Sequence, residues 1–153
     1  MSTLSDDEAL QIRQRQHWMH VIARSPDALA SFDADLRHCS HRFIRPAEIG
    51  MAMVRARAGA SGSPFNVGEM TMTRCAVQLA DGTVGHGYVA GRNRRHAELA
   101  ALADARLQGG EQAVWMHKLI DPAADALARA GARNEARNET TRVDVTTLVR
   151  GED

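Results

Sequence analysis

The sequence predicts an α+β fold: a mixed, mainly antiparallel sheet of about four strands, helices on one face, and an N-terminal helical hairpin. Three observations carry this. Asp81-Gly82 separates two runs of alternating residues, the pattern of a tight β-hairpin. Helix-start signals stand before the strands, at Ser5 and Ser25, and after them, at Asn93. The strand-like runs gather in mid-chain, which suits segregated layers rather than a repeating βα unit.

The elements follow in order. Ser5-Asp6-Asp7-Glu8 fits a capping box, with a hydroxyl at the N-cap and a carboxylate three residues on. A helix over about Asp6–Ala23 is expected, with Ile12, Trp18, Met19 and Ile22 near one face. Ser25-Pro26 restarts the chain with an N-cap serine and proline at N1, giving a helix to about Arg37 with Leu29, Phe32 and Leu36 as its stripe. His41–Arg45 is a short strand or an extended connector, interrupted by Pro46. Glu48–Ala58 alternates small residues (Gly50, Ala52, Val54) with Ile49, Met51, Met53, Arg55 and Arg57. Helix competes there because Met and Ala favour it, but the alternation and Gly50 favour strand.

Gly59–Pro64 is a loop, and Glu69–Leu79 a strand with Thr71, Thr73, Cys75, Val77 and Leu79 on one face. The return strand, Thr83–Ala90, carries Gly85 and Gly87, which imply a close approach by another backbone or side chain. A helix opens near Arg94 and closes at Gly109-Gly110. Glu111–Leu119 and a segment from Asp121-Pro122 to about Arg137 read as further helices, and Arg142–Val149 as a last strand. The whole, residues 1–153, reads as one domain: the hairpin over 6–37, strands and central helix over 41–108, and helices with the last strand over 111–150.

Composition bounds the function. The 153 residues carry 19 cationic and 19 acidic side chains, so the basic excess of a dedicated nucleic-acid binder is missing. Cys39 and Cys75 have no paired spacing, hence no zinc motif and no disulfide framework. The acidic, polar start is no signal peptide, and no apolar run nears the ~20 residues of a membrane span. A cytoplasmic protein with neither membrane nor nucleic acid as partner is expected.

Five features could carry chemistry. The corner Gly91-Arg92-Asn93-Arg94-Arg95-His96 places cations at a helix N-terminus, where free N–H groups and the dipole also attract anions. It is either a solvated basic turn or a holder for a partner carboxylate or ligand phosphate. His96-Ala97-Glu98 lacks the second histidine of a metalloprotease motif and reads as a polar first helical turn, with no metal site. Cys75 points inward as an inert thiol unless a neighbour such as His86 or Arg74 lowers its pKa. Arg74, amid Met72 and Ala76, needs a carboxylate, from Glu48 or Asp144, or else meets a ligand or subunit. Met51, Met53, Met70 and Met72 would share one adaptable apolar surface if their strands are neighbours, either core or subunit interface. No nucleotide loop or catalytic triad emerges.

The stretch FNVGEMTMTRCAVQLADGTVGHGYVAGRNRRHAELAALADA from Phe65, with TRVDVTTLVRG from Thr141, HWM at His17 and RPAEIGMAMVRARAG from Arg45, resembles the G subunit of the bacterial phosphonate carbon–phosphorus lyase system. Asn93 stands where that family usually has an acid, and Val145 where an aromatic is common in some members. The resemblance implies a cytoplasmic core complex with three other subunits. In it, one partner exchanges adenine of ATP for a phosphonate, giving ribose 1-phosphonate 5-triphosphate. Another, with an iron–sulfur cluster and S-adenosylmethionine, breaks the C–P bond. The resemblance assigns no catalytic residue and no cofactor to this chain, so whether it is itself an enzyme stays open. It leaves Arg74, Arg92, Arg94, Arg95, His96 and Arg142 as anion- or partner-binding candidates. The rival is a standalone enzyme or small-ligand protein with a pocket at the Arg92–His96 corner.

Overall fold

In the computed structural model, residues 5–57 and 62–140 are described. Ser5 caps α1 (Asp6–Ile22): its hydroxyl accepts from the Glu8 N–H at 3.3 Å, and its own N–H donates to Glu8 Oε2 at 2.9 Å. The reciprocal pair satisfies two N-terminal donors, as the sequence implies. Trp18, Val21 and Ile22 are the buried residues of α1, whereas Ile12 is 44% exposed. The expected second helix divides at Phe32 into α2 (Pro26–Ser31) and α3 (Asp33–Arg37), so the N-terminal region is not a hairpin of two continuous helices. The break sets Phe32 edge-on against Trp115, ring centroids 6.0 Å apart, while Leu29 and Leu36 are buried. Ser25 precedes α2 without making a side-chain cap bond.

Among the described residues the sheet has three strands, all antiparallel, in the order β1 (His41–Arg57), β2 (Pro64–Leu79), β3 (Val84–Ala90). The expected strand Arg142–Val149 lies outside the described residues. β1 is one long strand where the sequence suggests an interruption at Pro46. Register shifts between Phe43 and Glu48 absorb the proline, which cannot donate to the ladder. Asp81-Gly82 turns β2 into β3: Gly82 has φ +90°, and the Thr83 N–H donates to Asp81 Oδ1 at 2.8 Å.

The core centres on α4 (Arg94–Leu107), which lies on the sheet face bearing Thr73, Cys75, Val77 and Val89 and is covered on its other side by α1, α2 and α3. The sequence suggests one apolar side for α4, but it is buried nearly all round, from His96 to Leu107. Gly85 and Gly87 make the close seating possible: a Cβ on either would run into the backbone carbonyl of Ala101 or Ala97. Close approach is what glycines in this strand imply. Beyond α4, α5 (Gln112–Trp115) passes through one wide π turn, Met116–Ile120, into α6 (Asp121–Thr140). Pro122 has no N–H and would crowd the carbonyl four residues back. The π turn, in which the Asp121 N–H reaches Met116 O, lets the helix continue where the sequence suggests a restart.

Candidate functional site

The corner between β3 and α4 is built by Gly91 and Asn93. Gly91 adopts φ +88° and its N–H donates to Thr71 O at 2.8 Å, ending the strand. Asn93 is the N-cap of α4, its Oδ1 accepting from the His96 N–H at 2.9 Å. An asparagine oxygen does this as well as a carboxylate, so an acid at 93 is not needed for the cap.

The structure divides the corner's cations. Arg95 Nε donates to Asp33 Oδ2 at 2.8 Å, and Asp33 also takes Arg37 Nε at 2.7 Å. Arg37 in turn reaches Glu98 at 2.9 Å. Arg95 above all holds the Asp33 carboxyl below its usual range, and Arg37 adds to this, together outweighing the opposing effect of burial. Glu98, then Asp33, raises the Arg37 guanidinium. One anion at this helix start is therefore supplied from within the chain, by α3. Arg92 and Arg94 are exposed and have no carboxylate partner among the described residues.

His96 departs from the expectation of a polar first turn. It is only 7% exposed, and its Nε2–H donates to Ile22 O at 2.7 Å, tying the start of α4 to the end of α1. The bond satisfies a terminal helix carbonyl, and it commits the ring to one tautomer. Arg74 lies on the opposite face of the sheet, where Nε donates to Glu48 Oε1 at 2.7 Å. Glu48, one of its two anticipated partners, also takes Arg45 at 3.3 Å; the other, Asp144, and the candidate Arg142 lie outside the described residues. Arg74 and the corner are thus not brought together. Cys75 is buried against α4, and burial pushes its thiol up to about 11, the opposite of an activated nucleophile.

The methionines do not form one surface. Met51 and Met53 lie opposite Thr71 and Glu69, whereas Met70 and Met72 lie opposite Ala52 and Gly50. Directly opposed residues share a face, so the two rows point to opposite sides of the β1–β2 ribbon. They are not core: Met51, Met53 and Met70 are 63%, 56% and 38% exposed.

The residue that sequence reasoning missed is Asp104. Its side chain is fully buried, and it accepts from Arg15 (2.8 and 3.2 Å), Trp18 Nε1 (2.9 Å), the His86 N–H (2.9 Å) and Gln108 Nε2 (3.3 Å). It binds α1, β3 and α4 together. The one signal was an acid inside an otherwise alanine and leucine run. With both oxygens occupied, this carboxylate positions and does not react. Beside it, a groove of about 370 Å³ is lined by Gln11, Gln14, Arg15, Trp18, Gln108 and Gln112 among others. Among the described residues no three metal-ligating side chains cluster, and no helix is long and apolar enough to cross a membrane.

Residues 13–151 match the family described as "Phosphonate metabolism protein PhnG". The chain belongs to the PhnG family. A PhnG relative from Rhizobium meliloti (strain 1021), named alpha-D-ribose 1-methylphosphonate 5-triphosphate synthase subunit PhnG, is 36% identical over 151 residues, 97% of this chain and 96% of the relative. Family membership therefore extends over the sheet, the corner and the buried Asp104 alike.

Proposed function

We propose that this PhnG chain is an accessory subunit of a ribose 1-methylphosphonate 5-triphosphate synthase, within a carbon–phosphorus lyase core complex in the cytoplasm. The complex's reaction replaces adenine of ATP with a phosphonate: the bond from ribose C1 to adenine nitrogen breaks, and a bond from C1 to a phosphonate oxygen forms. This chain supplies surfaces to that assembly, and the reacting groups, S-adenosylmethionine and the iron–sulfur cluster belong to its partners. The observation that carries the reading is the near-full-length match to a relative named as a subunit of that synthase.

The chemistry of the side chains supports the accessory role. The inward thiol, Cys75, is held protonated, the His96 ring is buried and spent on Ile22 O, and Asp104 is saturated by its donors. The exposed Arg92 and Arg94 are the open cations of the corner, and they meet a partner's carboxylate in preference to a ligand phosphate. The test is co-expression with the other synthase subunits, followed by native mass and conversion of ATP and methylphosphonate. Arg92→Glu with Arg94→Glu is expected to reduce recovery of the complex. An intact assembly with lowered turnover moves the corner's role to the ligand. Synthesis of the phosphonate ester by the isolated chain overturns the accessory reading.

A further inference from the structure

The sheet is three-stranded for only part of its length. β3 pairs with β2 from Met72 to Gln78, whereas β1 and β2 pair with each other from His41–Leu79 to Arg57–Pro64. Gly50–Arg57 with 64–71 is therefore a two-stranded arm projecting beyond α4. A two-stranded ribbon is marginal in water unless another body covers it. This one is also apolar: Met51 63%, Met53 56%, Val67 59% and Phe65 49% exposed. Its faces differ. Phe65, Ala56, Val54, Ala52 and Met70 line one side, with Met70 and Phe65 of β2 opposite Ala52 and Ala56 of β1, and Val54 of β1 opposite Gly68. The other side carries Met51 and Met53 and ends in Arg55 and Arg57.

The outer edge of β1 is open as well. No backbone hydrogen bond runs from it to another described residue. Seventeen residues of free edge are a template for strand addition. Charge selects what can add. β1 carries four arginines, Arg42, Arg45, Arg55 and Arg57, and one acid, Glu48, which already serves both Arg45 and Arg74. Arg42 is held by Gln78 and Arg45 by Glu48, so the open cations of β1 among the described residues are Arg55 and Arg57, in the arm. A segment bearing carboxylates would find these two arginines exposed at the end of the arm.

We propose that the arm, Gly50–Arg57 with 64–71, receives an extended, acid-bearing segment of a different subunit, which adds along the edge of β1 and covers its apolar side chains. The inference rests on the subunit reading above and gives it an address distinct from the Arg92–Arg94 corner. The kind of partner follows from the open Arg55 and Arg57 and from the exposed apolar side chains beside them.

The test co-expresses the full chain with the other synthase subunits at about 0.15 M salt, where exposed charges still act over several ångströms. Arg55→Glu with Arg57→Glu is expected to lower partner recovery roughly tenfold while the isolated variant keeps the wild-type melting temperature; Arg13→Glu, an exposed reversal on α1, leaves recovery unchanged. Hydrogen exchange at the amides of 50–57 is expected to slow on assembly. Should the double reversal melt early, Arg55→Gln with Arg57→Gln carries the same test, with a flatter salt dependence of recovery. Wild-type recovery from both double variants, or unchanged exchange in the arm, overturns the proposal. So does a dimer of the isolated chain that the reversal abolishes, since the occupant is then a second copy. A wild-type chain that recovers no partner defeats the subunit reading itself, and Arg13→Glu would fail alongside it.

Discussion

The two ends of β2 both carry apolar side chains and meet different surroundings. Toward Leu79, the inward residues Thr73, Cys75 and Val77 are buried beneath α4, and Gly85 and Gly87 beside them let the helix backbone come close. Toward Pro64, Phe65, Val67 and Met70 are interleaved with polar or small residues in a ladder that shifts by one residue at Val67, and they stand exposed. Periodicity reports which residues share a face. It does not report whether the chain owns anything to cover that face. At the α4 end the complement is internal and includes small residues matched to the contact, whereas in the arm the described residues provide none. A subunit that is completed by its neighbours would show this division.

The contrast can be broken first at its crowded end. Asp104→Ala removes the shared acceptor of Arg15, Trp18 and the His86 N–H, leaving buried donors unpaired. A loss of about 2–4 kcal/mol is expected in denaturant unfolding, since each buried donor left unpaired costs about 1–3 kcal/mol, whereas the Arg15 guanidinium, 36% exposed, can rehydrate. Gly87→Ala forces a methyl into the Ala97 carbonyl, and about 1–3 kcal/mol is expected, with α4 amides exchanging faster. Asp33 sharpens the comparison at the corner. Its folded-state pKa is depressed below 3.8, so its stabilisation is present above that pH and is lost as pH falls through the lower folded value. Asp33→Asn should therefore lower the melting temperature at neutral pH and converge with wild type in strong acid. At the open end, Met53→Ser should change the stability of the isolated chain by no more than about 0.5 kcal/mol, because its side chain is already mostly in water. A loss several times larger would mean that the arm is internally packed after all.

Much of the frame could be read from residues. The Ser5–Glu8 box, the Asp81-Gly82 turn, the inward row of β2 and the close approach at Gly85 and Gly87 are all local rules with one dominant outcome. The failures share a cause. The split at Phe32, the helix running on through Pro122 and the opposite facing of the methionine rows each depend on a contact or register set by distant residues. At the candidate site, Arg74's partner was anticipated as one of two carboxylates, and Glu48 fills that place. The burial of His96 was not anticipated, because its acceptor, Ile22 O, belongs to a helix more than seventy residues earlier. Asp104 escaped for the same reason, since its donors come from α1, β3 and α4.

By itself the sequence determined most of the described elements, the Ser5–Glu8 cap, the Asp81-Gly82 turn, the inward row of β2 and the family, because these rest on neighbouring residues or on long matched stretches. Only the tertiary structure decided which arginines keep an internal carboxylate and which stay open, which acid is the buried hub, and where the apolar faces lie bare. Those outcomes depend on distance and solvent exclusion, and both are set when remote segments pack together.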